Sequence, residues 1–294
     1  MSSRLKVALV QDHDRGSVEA NLQQIESRLR EAAAAGAKLV LLQELHNGPY
    51  FCQHQNVCEF DRAESIPGPS TERFSALARE LKLVIVASLF ERRAAGLYHN
   101  TAVIFDNDGR IAGRYRKMHI PDDPGFMEKF YFTPGDLGFD PVDTAVGRLG
   151  VLVCWDQWYP EAARLMALAG ADLLLYPTAI GWDPRDDEPE RLRQRDAWII
   201  SQRGHAVANG LPVLSCNRVG LEADPTAQGP GIQFWGNSFV VGPQGEFLAQ
   251  AQADDQLLIA DIDLRRSEDV RRIWPFLRDR RIDAYGDLTR RYRS

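Results

Sequence analysis

The sequence predicts an α/β protein with two mixed sheets packed face to face and helices outside, a four-layer αββα sandwich. Three observations point there. Runs such as residues 39–43 and 172–177 are apolar almost throughout, which suits strands covered on both faces. Stretches with apolar residues at helical spacing alternate with these runs, so many strands connect through helices. Two turn signals, Asp106-Asn107-Asp108-Gly109 and Gly242-Pro243-Gln244-Gly245, join neighbouring strand patterns directly and add antiparallel pairs.

The elements follow in order. Residues 5–11 form the first strand. Ser17 caps a helix that reaches about residue 35, with Leu22, Ile25 and Leu29 on one face and Gly36 ending it. Strand 39–43 delivers Glu44, and a loop rich in His, Asn, Gly, Pro and aromatics covers 46–51. The turn Pro67-Gly68-Pro69-Ser70 opens a helix to about residue 81, and strand 83–90 follows. Strands 98–105 and 111–116 make the first hairpin, and Lys117 ends the second of them. Residues 119–141 form a long loop with four prolines, and such loops in compact domains tend to carry function. Strand 148–154 ends at Cys154, and Pro160 opens a helix. Strand 172–177 precedes a polar segment, 178–189, that includes Trp182. A long helix covers about 189–208 and leads to strand 212–217. Strands 236–241 and 246–249 make the second hairpin; strand 257–262, a helix and an arm finish the chain. With no linker or internal repeat visible, residues 1–294 read as one domain.

Composition narrows the function classes. The chain has 294 residues, 44% hydrophobic and 26% charged, enough for a large core without a disulfide or metal staple. No apolar run reaches the ~18 residues a membrane helix needs. The N-terminus enters a strand pattern directly, so a signal peptide is not expected, and the four cysteines read as reduced thiols in a cytoplasm. Six scattered histidines show no metal-binding spacing, so no metal or other cofactor is expected. A net charge of −6 argues against nucleic acid as a partner. Residues 264–294 hold ten Arg against five Asp or Glu, a net of +5, so residues 1–263 carry −11. This basic arm also carries Trp274, Phe276, Leu277, Ile282, Tyr285 and Tyr292, too apolar for a free tail. It is expected to dock on its own or a neighbouring subunit.

Glu44, Lys117 and Cys154 share a placement: each ends a predicted strand, where α/β sheets place their ligands. A carboxylate, an ammonium and a thiol have complementary roles. A thiol needs a base to become a nucleophile, and a tetrahedral oxyanion needs a cation or amide donors. Singly, each has a plainer reading: a core cysteine, a structural ion pair, or solvated strand ends.

These residues and their surroundings resemble the nitrilase, or carbon–nitrogen hydrolase, superfamily over nearly the whole chain. The resemblance rests on L-V-L-L-Q-E-L with Glu44, Y-R-K-M-H-I-P with Lys117, and C-W-D-Q-W-Y-P-E-A-A-R from Cys154. The loop I-P-D-D-P-G-F-M-E-K-F-Y-F-T-P-G-D and the segment Y-P-T-A-I-G-W point to a subgroup that hydrolyses a carbamoylated diamine, N-carbamoylputrescine, on a route to polyamines. Asp123 departs from the glycine expected there. The resemblance implies a nitrilase-like sandwich and a Glu44–Lys117–Cys154 triad. It implies that Glu128 matches a second glutamate, against the alternative of a solvated loop carboxylate. It also implies homo-oligomers built from dimers, with the arm at a subunit interface. The amide of Trp155 would help Lys117 hold the oxyanion. A distant ammonium calls for a carboxylate: Asp122 first, with Asp123 beside it. Tyr50, Trp155 and Trp182 either line an aliphatic channel or simply pack. His119 and Gln157 are not separable from packing, and Cys52, Cys58 and Cys216 read as structural. The alternatives are another amidase or nitrilase of the superfamily, or an inactive interaction protein on the same fold.

Overall fold

The computed structural model describes residues 4–227 and 229–293. Strands β1 (Arg4–Gln11), β2 (Leu39–Leu42), β3 (Val84–Ala94), β4 (Leu97–Phe105) and β5 (Ile111–Arg116) lie side by side in chain order. Helices α1 (Val18–Ala34) and α2 (Pro69–Leu81) connect β1, β2 and β3, which are parallel; β4 and β5 follow antiparallel. The second half begins with β6 (Val142–Thr144), β7 (Gly147–Val151), α3 (Pro160–Leu168) and β8 (Leu173–Pro177). It continues through β9 (Gly181–Trp182), α4 (Glu188–Asn209), β10 (Val213–Cys216), β11 (Val219–Glu222) and β12 (Ile232–Trp235). Last come β13 (Phe239–Val241), β14 (Phe247–Gln250), β15 (Gln256–Asp263) and α5 (Arg265–Ile273).

The sheets run β15-β1-β2-β3-β4-β5 and β14-β13-β10-β8-β7-β6. Each has three parallel strands linked by two helices, then an antiparallel pair, and one antiparallel strand on the other edge. The fold therefore repeats its topology, although no repeat is visible in the sequence. Topology is fixed by apolar period and turn position, which many different residues satisfy.

Strand alternation builds the layers. Val7 and Leu9 of β1 point between the sheets, with Leu149, Val151, Leu173 and Val213 in the same core. Ala8 and Val10 point the other way, onto Leu22, Ile25 and Leu29 of α1 and Phe74 and Leu77 of α2. On the far side, Met166 of α3 and Trp198 and Ala206 of α4 cover the second sheet. The result is the expected αββα sandwich. Ser17 caps α1, its Oγ accepting from Ala20 N at 3.2 Å, and Gly210 ends α4 in the left-handed region at φ 59°.

Two features were not expected. A third sheet, β11-β12-β9, takes β9 from the polar segment 178–189 and β11 and β12 from residues 218–235, where no element was expected. Its strands are short and mix Gly and polar residues with apolar ones, so neither strand period stands out. Strand β7 also stops at Val151, three residues before Cys154, although Leu152 N still donates to Leu175 O at 2.9 Å. Among the described residues no helix is long and apolar enough to cross a membrane.

Candidate active site

Glu44 sits two residues beyond β2. Its N–H reaches Thr178 O at 3.3 Å, tying the end of the first sheet to the end of β8 in the second. The next residue, Leu45, holds φ 49° and donates to Ser88 Oγ at 3.2 Å. Inside this turn Glu44 Oε1 accepts from Lys117 Nζ at 2.8 Å and from Asn100 Nδ2 at 2.6 Å. Ser88 in turn donates to Asn100 Oδ1 at 3.2 Å. Glu44 Oε2 is buried and has no hydrogen-bond partner among the described residues. One oxygen is held and the other is free to take a proton.

Lys117 extends the β4–β5 ladder by one residue, its N–H bonding Asn100 O at 2.9 Å. Gly135 closes behind it, donating to Lys117 O at 2.8 Å. A Cβ on Gly135 would meet the Arg116 carbonyl at 2.0 Å, so only glycine lets the long loop lie this close. The ammonium lies between two carboxylates, Glu44 and Glu128, the latter at 2.6 Å. Glu128 also accepts from Tyr50 OH at 2.7 Å. Lys117, Glu44 and Glu128 are all fully buried. Burial pulls the lysine down, but Glu128 and then Glu44 outweigh it and hold the ammonium well above its ordinary value. Glu128 is pushed up by burial, against the pull of Lys117 and with the push of Glu44. Lys117 therefore stays charged.

Cys154 opens a short 3₁₀ turn, Cys154–Trp158, with φ 43°. A non-glycine residue there is strained, and such strain collects at functional sites. Asp156, also buried, holds the turn. Its Oδ2 accepts from Val153 N and Tyr115 OH, both at 2.9 Å. Its Oδ1 accepts from His119 N at 3.0 Å and pairs with His119 Nδ1 at 2.6 Å. One carboxylate thus fixes the cysteine turn to the strand and loop on either side of Lys117. The thiol, 3.8 Å from Ala179 O, is raised well above its ordinary value by burial and by Glu44, against the pull of Lys117. At rest it is neutral and needs a base.

The thiol opens onto a cavity of about 270 Å³ walled by Trp155, Trp158, Trp235, Phe126, Asp123 and Gln194, among others. Gly181 belongs to the wall as well; a Cβ there would meet Gln233 O at 2.4 Å. The structure brings Glu44, Lys117, Glu128 and Tyr50 together below the cavity and Trp155 into its wall. Asp122, Tyr50 and Trp182 are not among the residues that wall it. Asp122 is exposed and does not line the cavity, because the turn closed by Phe126 N to Asp123 O at 2.9 Å turns Asp123 inward instead. Trp182 stands behind the wall, its ring 5.1 Å from Trp235 and its Nε1 bonded to Arg191 O at 2.9 Å. Gln157 is structural, its Oε1 accepting from Trp198 Nε1 at 2.9 Å.

Asn100, Asp156, Trp158, Trp235 and Gln194 were not singled out in the sequence. Asp156 sits inside the C-W-D-Q-W motif and carried the one usable signal, an acidic residue two places after the cysteine. Asn100 lies in a strand pattern, and its neighbour across the sheet is invisible in one dimension.

The profile of the carbon–nitrogen hydrolase family matches residues 6–272. The chain is 45% identical to an N-carbamoylputrescine amidase of Oryza sativa subsp. japonica, over 97% of this chain and 95% of that one. It is 42% identical to a citrullinase of Francisella tularensis, covering 99% of this chain and 100% of the other. It superposes on the crystal structure of a carbon–nitrogen hydrolase from Helicobacter pylori G27 with a TM-score of 0.97 and 55% identity, covering 99% and 100% of the two chains. With a family match over most of its length and relatives this similar from end to end, the chain belongs to the carbon–nitrogen hydrolase family.

Proposed function

We propose that the protein hydrolyses N-carbamoylputrescine to putrescine, carbon dioxide and ammonia, with Cys154 as nucleophile. The observation that carries this is the free, buried Oε2 of Glu44 beside a charged Lys117 and a neutral thiol. Glu44 takes the thiol proton as sulfur bonds to the ureido carbon. The carbonyl oxygen gains negative charge, which Lys117 and the Trp155 amide balance. Glu44 returns the proton to the terminal nitrogen, the C–N bond breaks and ammonia leaves. Glu44 then deprotonates a water that attacks the thiocarbamate carbon on Cys154. Cys154 leaves as the thiol, and the released carbamate breaks down to carbon dioxide and the diamine. Glu128, bonded to Tyr50, holds Lys117 in place and charged.

The relative from rice bears the name of this activity. Among the described lining residues there is a carboxylate, Asp123, and no Lys, Arg or His. That suits a substrate ending in an ammonium. The likeness to a citrullinase favours citrulline as a second reading, but its α-carboxylate meets no cation in this wall. The test is ammonia and amine release from N-carbamoylputrescine, citrulline, carbamoyl amino acids, simple amides and nitriles. Preference for the carbamoyl diamine is expected; preference for citrulline or another acidic substrate would overturn the assignment.

The proposal includes a cytoplasmic setting, supported by four free cysteines, three of them buried, and a step that supplies putrescine for polyamine synthesis. It also includes one domain with its arm at a homo-oligomer interface. Ile273, Ile282 and Leu288 are exposed beside the arm's arginines, an apolar surface that a second copy would cover. Removing residues 275–294 should lower the mass seen in light scattering; an unaltered mass would count against the interface.

A further inference from the structure

Asp123 is the one charged residue among the described residues that wall the Cys154 cavity. Its Oδ1 is buried and has no hydrogen-bond partner among the described residues. A half-buried carboxylate with an open lone pair is costly unless a donor arrives. Gly125, at φ 82°, lets the 123–126 turn close tightly and keeps the side chain aimed at the cavity while Asp122 faces solvent. Burial raises the Asp123 carboxyl above its ordinary value, against a smaller pull from Lys117.

Gln194 adds a side-chain amide to the wall. Its Nε2 donates to Asp186 at 3.2 Å and to Glu190 at 3.1 Å. Both carboxylates fix the amide so that its oxygen is the atom left for a donor. Trp155, Trp158 and Trp235 supply apolar faces for a methylene chain and π-faces for a cation. The wall therefore presents acceptors from Asp123 and Gln194, aromatic surface, and the Nε1 donors of Trp158 and Trp235, which have no partner among the described residues.

We infer that Asp123, with the amide oxygen of Gln194, binds the far ammonium of the substrate and selects carbamoyl amines that end in a cation. This rests on the reading of the site as a carbamoyl-amine hydrolase. A charge-assisted hydrogen bond in a partly water-excluded cavity is strong enough to decide between a cation and its neutral isostere.

The test compares N-carbamoylputrescine with N-pentylurea, in which a methyl replaces the ammonium. Steady-state kinetics of the native protein should favour the cation. Asp123→Asn should cut that preference about 10- to 100-fold, through KM of the cationic substrate rather than kcat. Asp123→Glu should restore part of it, which a merely structural role would not do. Gln194→Leu should cut it less, since it removes a neutral acceptor. An Asp123→Asn protein with the native preference overturns the assignment, as does an equal loss from Asp122→Asn. If the native protein hydrolyses N-pentylurea but prefers neither compound, Asp123 has no selecting role while the carbamoyl chemistry stands. If it hydrolyses neither, the functional reading itself fails and takes this one with it.

Discussion

At the closed end of the cleft, Glu44, Lys117 and Glu128 are out of reach of solvent, and each of their carboxylate oxygens except Glu44 Oε2 is hydrogen bonded. At the mouth, Asp123, Trp155 and Gln194 are half-buried, and three polar wall atoms, Asp123 Oδ1 and the Nε1 of Trp158 and Trp235, have no hydrogen-bond partner among the described residues. The closed end is finished before any substrate arrives. The mouth is completed by a ligand. Electrostatic groups that act on developing charge work best fixed in a low dielectric, whereas groups that recognise a flexible tail need open acceptors. Rate should therefore be sensitive to the closed end, and the identity of the amine to the mouth.

The largest effects should come from the closed end. Cys154→Ala and Glu44→Gln should each lower kcat about ten-thousandfold while the proteins still melt cooperatively near the native temperature. Glutamine can still accept from Lys117 and Asn100, so Glu44→Gln removes the base with little change in packing. Activity within tenfold of native for either would remove the contrast with the mouth.

Stability should divide along the same line. Lys117→Met leaves two buried carboxylates facing each other and should cost about 3–5 kcal/mol in urea unfolding. Asp123→Asn, in the half-open wall, should change it by less than about 1 kcal/mol. Equal losses would mean that the mouth is as integral to the fold as the closed end.

The smallest effect is a pH dependence. Burial raises the Asp123 carboxyl above its ordinary value. Protonation removes its negative charge, so KM for N-carbamoylputrescine should rise as pH falls toward the carboxyl range. KM for N-pentylurea should stay level across the same range. A parallel rise for both would place the titration elsewhere.

The closed end was legible in sequence because its parts sit at strand ends, and strands announce themselves by apolar runs. Glu44, Lys117 and Cys154 are the polar residues that interrupt or follow those runs. The layers were legible for the same reason, since residues 39–43 and 172–177 need cover on both faces. The mouth was not. Whether Asp122 or Asp123 faces inward depends on a turn of one backbone unit, and adjacent carboxylates look alike in one dimension. Trp235 reaches the cavity from a short strand in the small sheet, where no period marks an element, and Trp182, the more visible tryptophan, stands behind it. Asn100 and Asp156 act by hydrogen bonds between distant segments, which spacing does not encode.

The most direct measurement is the bond itself. Native protein mixed with N-carbamoylputrescine, quenched in acid within one turnover and digested should carry the substrate less ammonia on the peptide containing Cys154. Mass spectrometry reads that adduct. The substrate less its diamine on Cys154, the adduct on Cys52 instead, or undiminished turnover by Cys154→Ala would each contradict it.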